Sequence, residues 1–499
     1  MNGFRAMRDY ASRTRAPEPA VREAPATAAQ RGLWLADSLS PHRNGYTVTH
    51  AYHLAGPVDR DALVAAVETV VARHSVLRTR FELRGDELWQ VVGDAPLDLT
   101  VTDMSRSTAH RPWAEVVADR PPERLDLARG PVIRAELVLR SAEEHVLVLQ
   151  IHHAVNDAAS MAVIEADLSG AYAALSAGLP YASPLPPQFV DLPVVAPPGD
   201  RERAAAFWRD ELAGAPPGVE GSEVDKTYPA GWSDVDCTAE YEALLESGPR
   251  RSPFAFLLTA VHQAVAAEFG TSDTVVGTTV SIRPEGYDEV VGPFVNTLPV
   301  RVASDPEWSR DEAVTAVGKA LSRVLEHHAV PFEEASPAGF GDVAVTFTSN
   351  TAMGEGPVLA GLTCRRLDVK SRYCQRDLAV YLVRAAGGYR LRACRNAAVV
   401  PSEVADGLLR RVKTFLGHEQ PRDEPAEGGA EALATVRRAW SEVLGVAEGD
   451  LGKDFFESGG GSLGAIRLAA RLGLSVRQVF KLRTQDAIAA AIATRGAVG

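Results

Sequence analysis

The 499-residue chain reads as an α/β protein of two lobes followed by a small all-helical domain. Three observations predict this. Apolar patterns of strand period and helix period recur in both halves of residues 25–418. A stretch rich in Gly, Pro and charge, "GHEQPRDEPAEGGAEA" (417–432), has no apolar periodicity and reads as a linker. Beyond it only helical spacing remains.

The elements follow in order. Residues 1–24 carry arginines but no apolar run, so they read as a disordered tail and not a secretory leader. In "RDALVAAVETVVARH" (60–74), Leu63, Val67, Val70 and Val71 fall at helical spacing. "FELRGDELWQVV" (81–92) predicts a hairpin about Gly85-Asp86, and "VIRAELVLR" (132–140) and "HVLVLQIHH" (145–153) predict paired strands. "SPFAFLLTAVHQAVAAEF" (252–269) reads as a mostly apolar helix and "DTVVGTTVSI" (273–282) as a buried strand. "PSEVADGLLRRVKTFL" (401–416) closes the unit as an amphipathic helix. The pattern divides into an N-lobe of about 25–190 and a C-lobe of about 200–418, with a cleft between them. After a linker at 419–430, residues 431–497 form a bundle. There Leu433, Val436, Trp440 and Leu444 share one face, Ser462 is placed to cap a second helix, and Thr484 a last one.

Composition bounds the function. Apolar residues make up 46% and charged residues 23%, ordinary for a soluble globular protein. The net charge of −13 argues against a nucleic-acid surface. No stretch reaches the roughly 18 apolar residues of a spanning helix. The expectation is a cytoplasmic protein without nucleic-acid or membrane partners. The four cysteines form no CxxC and no metal-ligand spacing, so they are expected as reduced thiols with no metal.

"HVLVLQIHHAVNDAASM" (145–161) carries the candidate chemistry. Side chains alternate along a strand, so His152 and His153 point to opposite faces and one alone can face a given cleft. Asp157 follows in a loop and, if buried, needs a cation or several donors. On spacing alone, a strand that ends in two satisfied polar residues accounts for this as well as a catalytic one does.

The stretch His152 to Asp157, "HHAVND", resembles the HHxxxDG signature of nonribosomal peptide synthetase condensation domains, within the chloramphenicol-acetyltransferase-like superfamily. "ATAAQRGLWLADSL" (26–39), "RHSVLRTRF" (73–81), "LDLARGPVIRAEL" (125–137), "FWRDELAGAP" (207–216), "VGPFVNTLPVR" (291–301) and "HHAVPFEE" (327–334) resemble the family's other motifs, in the family's order. The resemblance implies two chloramphenicol-acetyltransferase-like lobes in a V, with a tunnel in which a carrier-bound amine attacks a carrier-bound thioester. It implies His153 as the active residue, with His152 and Asp157 completing the catalytic motif. Asp157 is expected to fix its loop through an ion pair, and Arg283 with Arg73 or Arg78 match the arginines near it. Asn296 is expected to support the lobe junction. The "FVNT" segment (294–297) separates this chain from epimerization domains, and the double histidine from heterocyclization domains. Ala158 replaces the signature glycine. If that glycine adopts a backbone angle costly to other residues, Ala158 adds about 1–2 kcal/mol of strain, and its methyl narrows the tunnel.

"DFFESGGGSLGAIRL" (454–468) resembles a peptidyl carrier protein, which implies a four-helix domain and a covalent 4′-phosphopantetheine on Ser462. A phosphopantetheinyl transferase is the partner that would attach it. With no adenylation domain between lobe and carrier, a standalone adenylation enzyme is expected to load it. An upstream acyl or peptidyl carrier protein would supply the donor, and a downstream synthetase module or tailoring enzyme would receive the product. Two alternatives stand beside amide formation: an acyltransferase using a soluble acceptor or acyl-CoA, and a catalytically weak scaffold whose carrier presents its cargo to tailoring enzymes.

Overall fold

The computed structural model describes residues 22–40, 45–106, 111–118, 120, 124–192, 198–216, 228–246, 252–305, 307–337, 340, 343–351, 354–385, 387–417, 429–445, 455, 458, 462–474, 478–479, 482–485, 488–489 and 491–492. The first lobe runs β1 (Glu23–Pro25), α1 (Ala28–Leu39), β2 (Thr47–Ala55), α2 (Arg60–Arg73), β3 (Thr79–Arg84), β4 (Glu87–Val92), β5 (Asp98–Asp103), α3 (Trp113–Ala118), β6 (Ile133–Leu139), β7 (Glu144–His152) and α4 (Ala158–Ser176). Local chemistry sets the ends. Thr27 and Gln30 form a reciprocal capping box at α1, and the Asp59 carboxylate accepts from Ala62 N at the start of α2. Gly85 turns the β3–β4 hairpin at φ 61°, in the left-handed region open to glycine.

The second lobe runs α5 (Pro198–Glu211), β8 (Tyr228–Asp236), α6 (Thr238–Glu246), α7 (Pro253–Phe269), β9 (Asp273–Ser281), β10 (Val295–Ala303), α8 (Arg310–Leu325), α9 (Phe332–Ala335), β11 (Val345–Asn350), β12 (Thr363–Arg366), β13 (Tyr373–Cys374), β14 (Leu378–Ala385), β15 (Gly388–Asn396) and α10 (Ser402–Gly417). Its sheet has seven strands in the order β10-β9-β11-β14-β15-β8-β13. Phe256 and Val261 of α7, Val317 of α8 and Leu408 of α10 bury it from one side.

The N-lobe sheet has the order β12-β2-β7-β6-β5. Its central strand β7 is buried on both faces, which explains an apolar run without clean alternation. Leu147, Leu149 and Ile151 pack in the core built with α2 and α4, and Val146 and Val148 pack with Trp113 of α3.

Two expected boundaries need correction. Glu23 and Ala24 are not tail: they pair with Val91 and Gln90 of β4 and cover an edge that would otherwise present unpaired backbone groups. The lobes are also not contiguous in sequence. β12 leaves the C-lobe and adds to the edge of β2, with Arg366 opposite Tyr52. A strand so short carries no pattern that names its partner sheet.

The C-terminal domain contains α11 (Gly429–Leu444) and α12 (Ser462–Leu472). Val436 and Trp440 are fully buried against Phe455, Leu468 and Ile488, and Leu433 and Leu444 pack at the margin. Ile488 N donates to the Thr484 carbonyl at 3.0 Å, as expected where Thr484 opens a helix. Most of the linker (419–428), most of the predicted helix after Thr484, and residues 1–21 of the tail lie outside the described residues. Arg467 of α12 donates to the Leu325 carbonyl at the end of α8, at 3.2 Å.

Candidate active site

A cavity of about 1460 Å³ lies between the lobes. The start of β2 and one face of α4 form its N-lobe wall; β9, β11 and β14 contribute Thr279, Thr348 and Tyr381 from the other side. His153 lines it.

The position of His153 follows from the end of β7. After His152 the chain enters a short 3-10 turn (His153–Val155), and His153 N donates to the Tyr46 carbonyl at 2.9 Å. Its Nδ1 lies 3.0 Å from the Asn156 carbonyl oxygen. A carbonyl can only accept, so Nδ1 carries a proton, and in the neutral ring the lone pair is on Nε2. That is the form a proton acceptor needs.

His152, the last residue of β7, is fully buried and does not line the cavity. Its Nδ1 accepts from Ala154 N at 3.1 Å, so Nε2 carries the hydrogen, 3.6 Å from an Asp37 carboxylate oxygen of α1. Burial holds its pKa below the usual histidine value against the pull of Asp37. Its expected place among the catalytic residues is corrected to a structural one, because a neutral imidazole walled off from the cavity cannot touch a substrate.

Asp157 is the N-cap of α4 and only 6% exposed. Its carboxylate accepts from Ser160 N (2.7 Å), the Ser160 hydroxyl (2.7 Å), Phe294 N (3.0 Å) and Arg283 (3.0 and 3.1 Å). With both oxygens so committed it is a clamp and not a base. Arg283 also donates to the Tyr287 carbonyl (3.1 Å) and to the Val290 carbonyl, and stacks over Phe294 at 4.2 Å. Burial pulls the guanidinium below its usual pKa, with Asp157 opposing. The clamp joins the first turn of α4 to the C-lobe segment before β10.

Arg73 and Arg78 do not reach this aspartate. Arg73 Nε binds Asp167 at 2.9 Å, where His74 (2.7 Å) and Tyr181 (2.7 Å) converge. Arg78 binds the Gly93 carbonyl at 3.1 Å. Asp167 lies ten residues along α4 from Asp157, about 15 Å at 1.5 Å per residue. The "RHSVLRT" motif therefore braces the middle of the helix, not its first turn. Asn296 donates to the carbonyls of His328 (2.8 Å) and Val330 (2.9 Å) and accepts from Phe332 N (3.0 Å). It holds the turn into α9, whose Phe332 lines the cavity.

Ala158 is the first helical residue of α4, and its φ is not positive, so the expected strain is absent. Its methyl does line the cavity. The sequence reading missed a polar group that starts at the cavity with His50 and continues behind it through buried Tyr52 and Glu165 to half-buried Arg366. His50 and Tyr52 fall two apart on the buried face of β2, and polar residues in that register were the available sign.

Ser462 opens α12, an 11-residue helix. A Cβ at Gly464 would come within 3.1 Å of the Phe455 ring, so this first turn sits tightly on the bundle core. A helix start of this kind fits a phosphate-linked group, because its amides lack intrahelical partners and the helix end is positive. Among the described residues, no cluster of His, Cys, Asp and Glu could hold a metal ion and no helix is long and apolar enough to cross a membrane.

Comparison with known proteins agrees with this geometry. The condensation domain model matches residues 21–336, and the phosphopantetheine attachment site model matches residues 434–492. Phosphinothricin tripeptide synthetase PhsC of Streptomyces viridochromogenes is 30% identical over 356 residues, 64% of this chain and 32% of that protein. Isonitrile lipopeptide synthase of Mycobacterium tuberculosis is 32% identical over 337 residues, 62% of this chain and 13% of that protein. This chain thus spans a small part of the length of these relatives. In the complex of the X-domain and OxyB from teicoplanin biosynthesis, one chain superposes with a TM-score of 0.66 at 27% identity, over 81% of this chain and 94% of that one.

Proposed function

Since the chain belongs to the condensation domain family and ends in a domain that takes covalent 4′-phosphopantetheine, we propose that it joins a carrier-bound acyl thioester to an amine as an amide. The observation that carries this reading is His153 lining an interlobe cavity, its Nδ1 held by the Asn156 carbonyl so that Nε2 is the nitrogen left to accept a proton. The amine nitrogen attacks the thioester carbonyl carbon, the C–S bond breaks and the sulfur leaves as a thiol. His153 Nε2 takes the proton from the attacking amine and returns it to the leaving sulfur. A positioned base contributes about 10²–10⁴-fold, and alignment of the two reactants contributes more.

Ser462 is the proposed attachment residue; the arm, when bound, supplies a thiol that holds the substrate as a thioester. Arg467, on the same helix, meets the end of α8, from which the chain runs to α9 and Phe332 in the cavity wall. This brings the carrier close to one side of the cavity. No adenylation domain lies between the lobes and the carrier, so loading comes from outside this stretch, from an adenylating domain or enzyme or from another carrier.

A second reading is favoured by one observation, the likeness to the X-domain crystallised with OxyB. In it the lobes recruit a tailoring enzyme to the loaded carrier and perform no chemistry. Intact-protein mass spectrometry separates the two. With coenzyme A and a phosphopantetheinyl transferase, the wild type gains the pantetheine mass and Ser462→Ala does not. When an acyl carrier is then offered to amine-loaded protein, condensation predicts product on the wild type and about 10²–10⁴-fold slower formation with His153→Ala. Equal rates for the two proteins refute the condensation reading.

A further inference from the structure

The start of β2 places a second histidine on the cavity. Along "TVTHAYHLA" (47–55), Val48, His50, Tyr52 and Leu54 share a strand face, and that face meets α4. The Tyr52 hydroxyl donates to Glu165 of α4 at 2.6 Å. Arg366 arrives on β12, the strand that crosses from the other lobe. It pairs with Glu165, donates to the Gly354 carbonyl (3.0 Å) and lies 5.2 Å above the Tyr52 ring. The carboxylate and guanidinium offset one another, so the group is neutral as a whole.

Arg366 also lies 3.3 Å from His50 Nδ1. A guanidinium has donors only, so Nδ1 must be the acceptor and Nε2 must carry the hydrogen. His50 is 8% exposed and lines the same cavity as His153. Burial first, then Arg366 and His153, push its pKa down to about 3, so the ring stays neutral at physiological pH. The two cavity histidines therefore have opposite polarity. His153 offers a lone pair, held so by a carbonyl; His50 offers an N–H, held so by an arginine.

We propose that His50 is a specificity residue whose Nε2–H binds a carbonyl or carboxylate oxygen on the side chain of an acyl or aminoacyl group entering the cavity. The inference rests on the condensation reading for the identity of the cargo. An apolar side chain at this place leaves a desolvated N–H unpaired, and that penalty gives the selectivity. Arg366 acts through His50 as a positioning residue, which gives the crossover of β12 a part in substrate choice.

The test measures binding and turnover separately, on the full chain. Soluble thioesters of glutamine, glutamate and norleucine serve as probes, and affinity is read by calorimetry. The wild type should prefer an oxygen-bearing probe over norleucine by about 10–100-fold, with glutamine against glutamate separating amide from carboxylate. His50→Leu should abolish the preference from both sides: the oxygen-bearing probes lose their donor and bind more weakly, and norleucine, no longer facing an unpaired N–H, binds more tightly than to the wild type. His50→Gln, able to accept from Arg366 and donate onward, should retain it. In ¹⁵N-histidine spectra of the wild type, the His50 Nε2 proton should move on addition of the preferred probe, a readout that needs no Leu variant. A wild type without preference, or a preference that survives His50→Leu, overturns the inference. Amide formation without any oxygen preference overturns it and leaves the condensation reading intact. Preference without amide formation does the reverse.

Discussion

Arg283→Met tests the clamp across the lobes. Methionine keeps much of the apolar stem over Phe294 but removes the charge. The Asp157 carboxylate would remain 94% buried, held by Ser160 and Phe294 N alone. Removing one partner of a buried pair costs about 3–5 kcal/mol, because the remaining charge stays desolvated. Four kcal/mol is roughly a thousandfold in the folding equilibrium. At about 2–4 °C per kcal/mol for a lobe of this size, the melting midpoint should drop by roughly 8–16 °C. Thermal unfolding followed by near-ultraviolet circular dichroism reads this directly. Asp157→Leu alone should cost a comparable amount, and the double variant should cost less than the sum, since neither charge is then left unpaired. A single variant that melts within about 2 °C of the wild type, or strictly additive costs, would show that the carboxylate does not depend on the arginine, and the clamp would have to be abandoned.

Three further outcomes are expected. His50 and His262 both sit near a pKa of about 3 because they are buried; an unfolded chain takes up these protons near 6.5. Their contribution to stability is therefore complete above pH 6.5 and is lost as pH falls towards 3, at about 1.4 kcal/mol per unit for each group. His262, whose Nδ1 lies 2.7 Å from Thr274 Oγ1, can be replaced by Gln, and its acid-unfolding midpoint should then move to lower pH; an unchanged midpoint excludes His262. Asn296→Ala leaves Phe332 N without its acceptor and should cost about 1–3 kcal/mol in urea unfolding; no loss would mean that the turn into α9 holds itself. Ala158→Gly should destabilise by about 0.5–1 kcal/mol and leave turnover within a few-fold, since no strain is released; a stabilised variant would contradict the helical backbone at 158.

Much of the local structure was legible. Leu63, Val67, Val70 and Val71 face inward on α2 as their spacing predicts, and the hairpin turns at Gly85. Strand period predicts that only one of His152 and His153 faces the cleft; His153 alone lines the cavity, but it does so from a 3-10 turn after the strand has ended. The partner of Asp157 was harder to read. Three arginines were available, and which of them reaches the carboxylate depends on where two helices come to rest against each other. Arg73 and Arg78 end α2 and the turn after it, while Asp157 begins α4. The buried group around His50 was less legible still, because its four members come from β2, α4 and β12.

By itself the sequence determined what depends on neighbours along the chain: periods, caps, turns and the order of motifs, all set by backbone geometry over a few residues. The tertiary structure alone decided which lobe receives β12, which arginine meets Asp157, and that one imidazole in the cavity accepts while another donates. Those outcomes depend on groups far apart in the chain and on the removal of water between them. Burial turns a weak preference for a partner into a requirement, and only the packed fold shows which partner meets it.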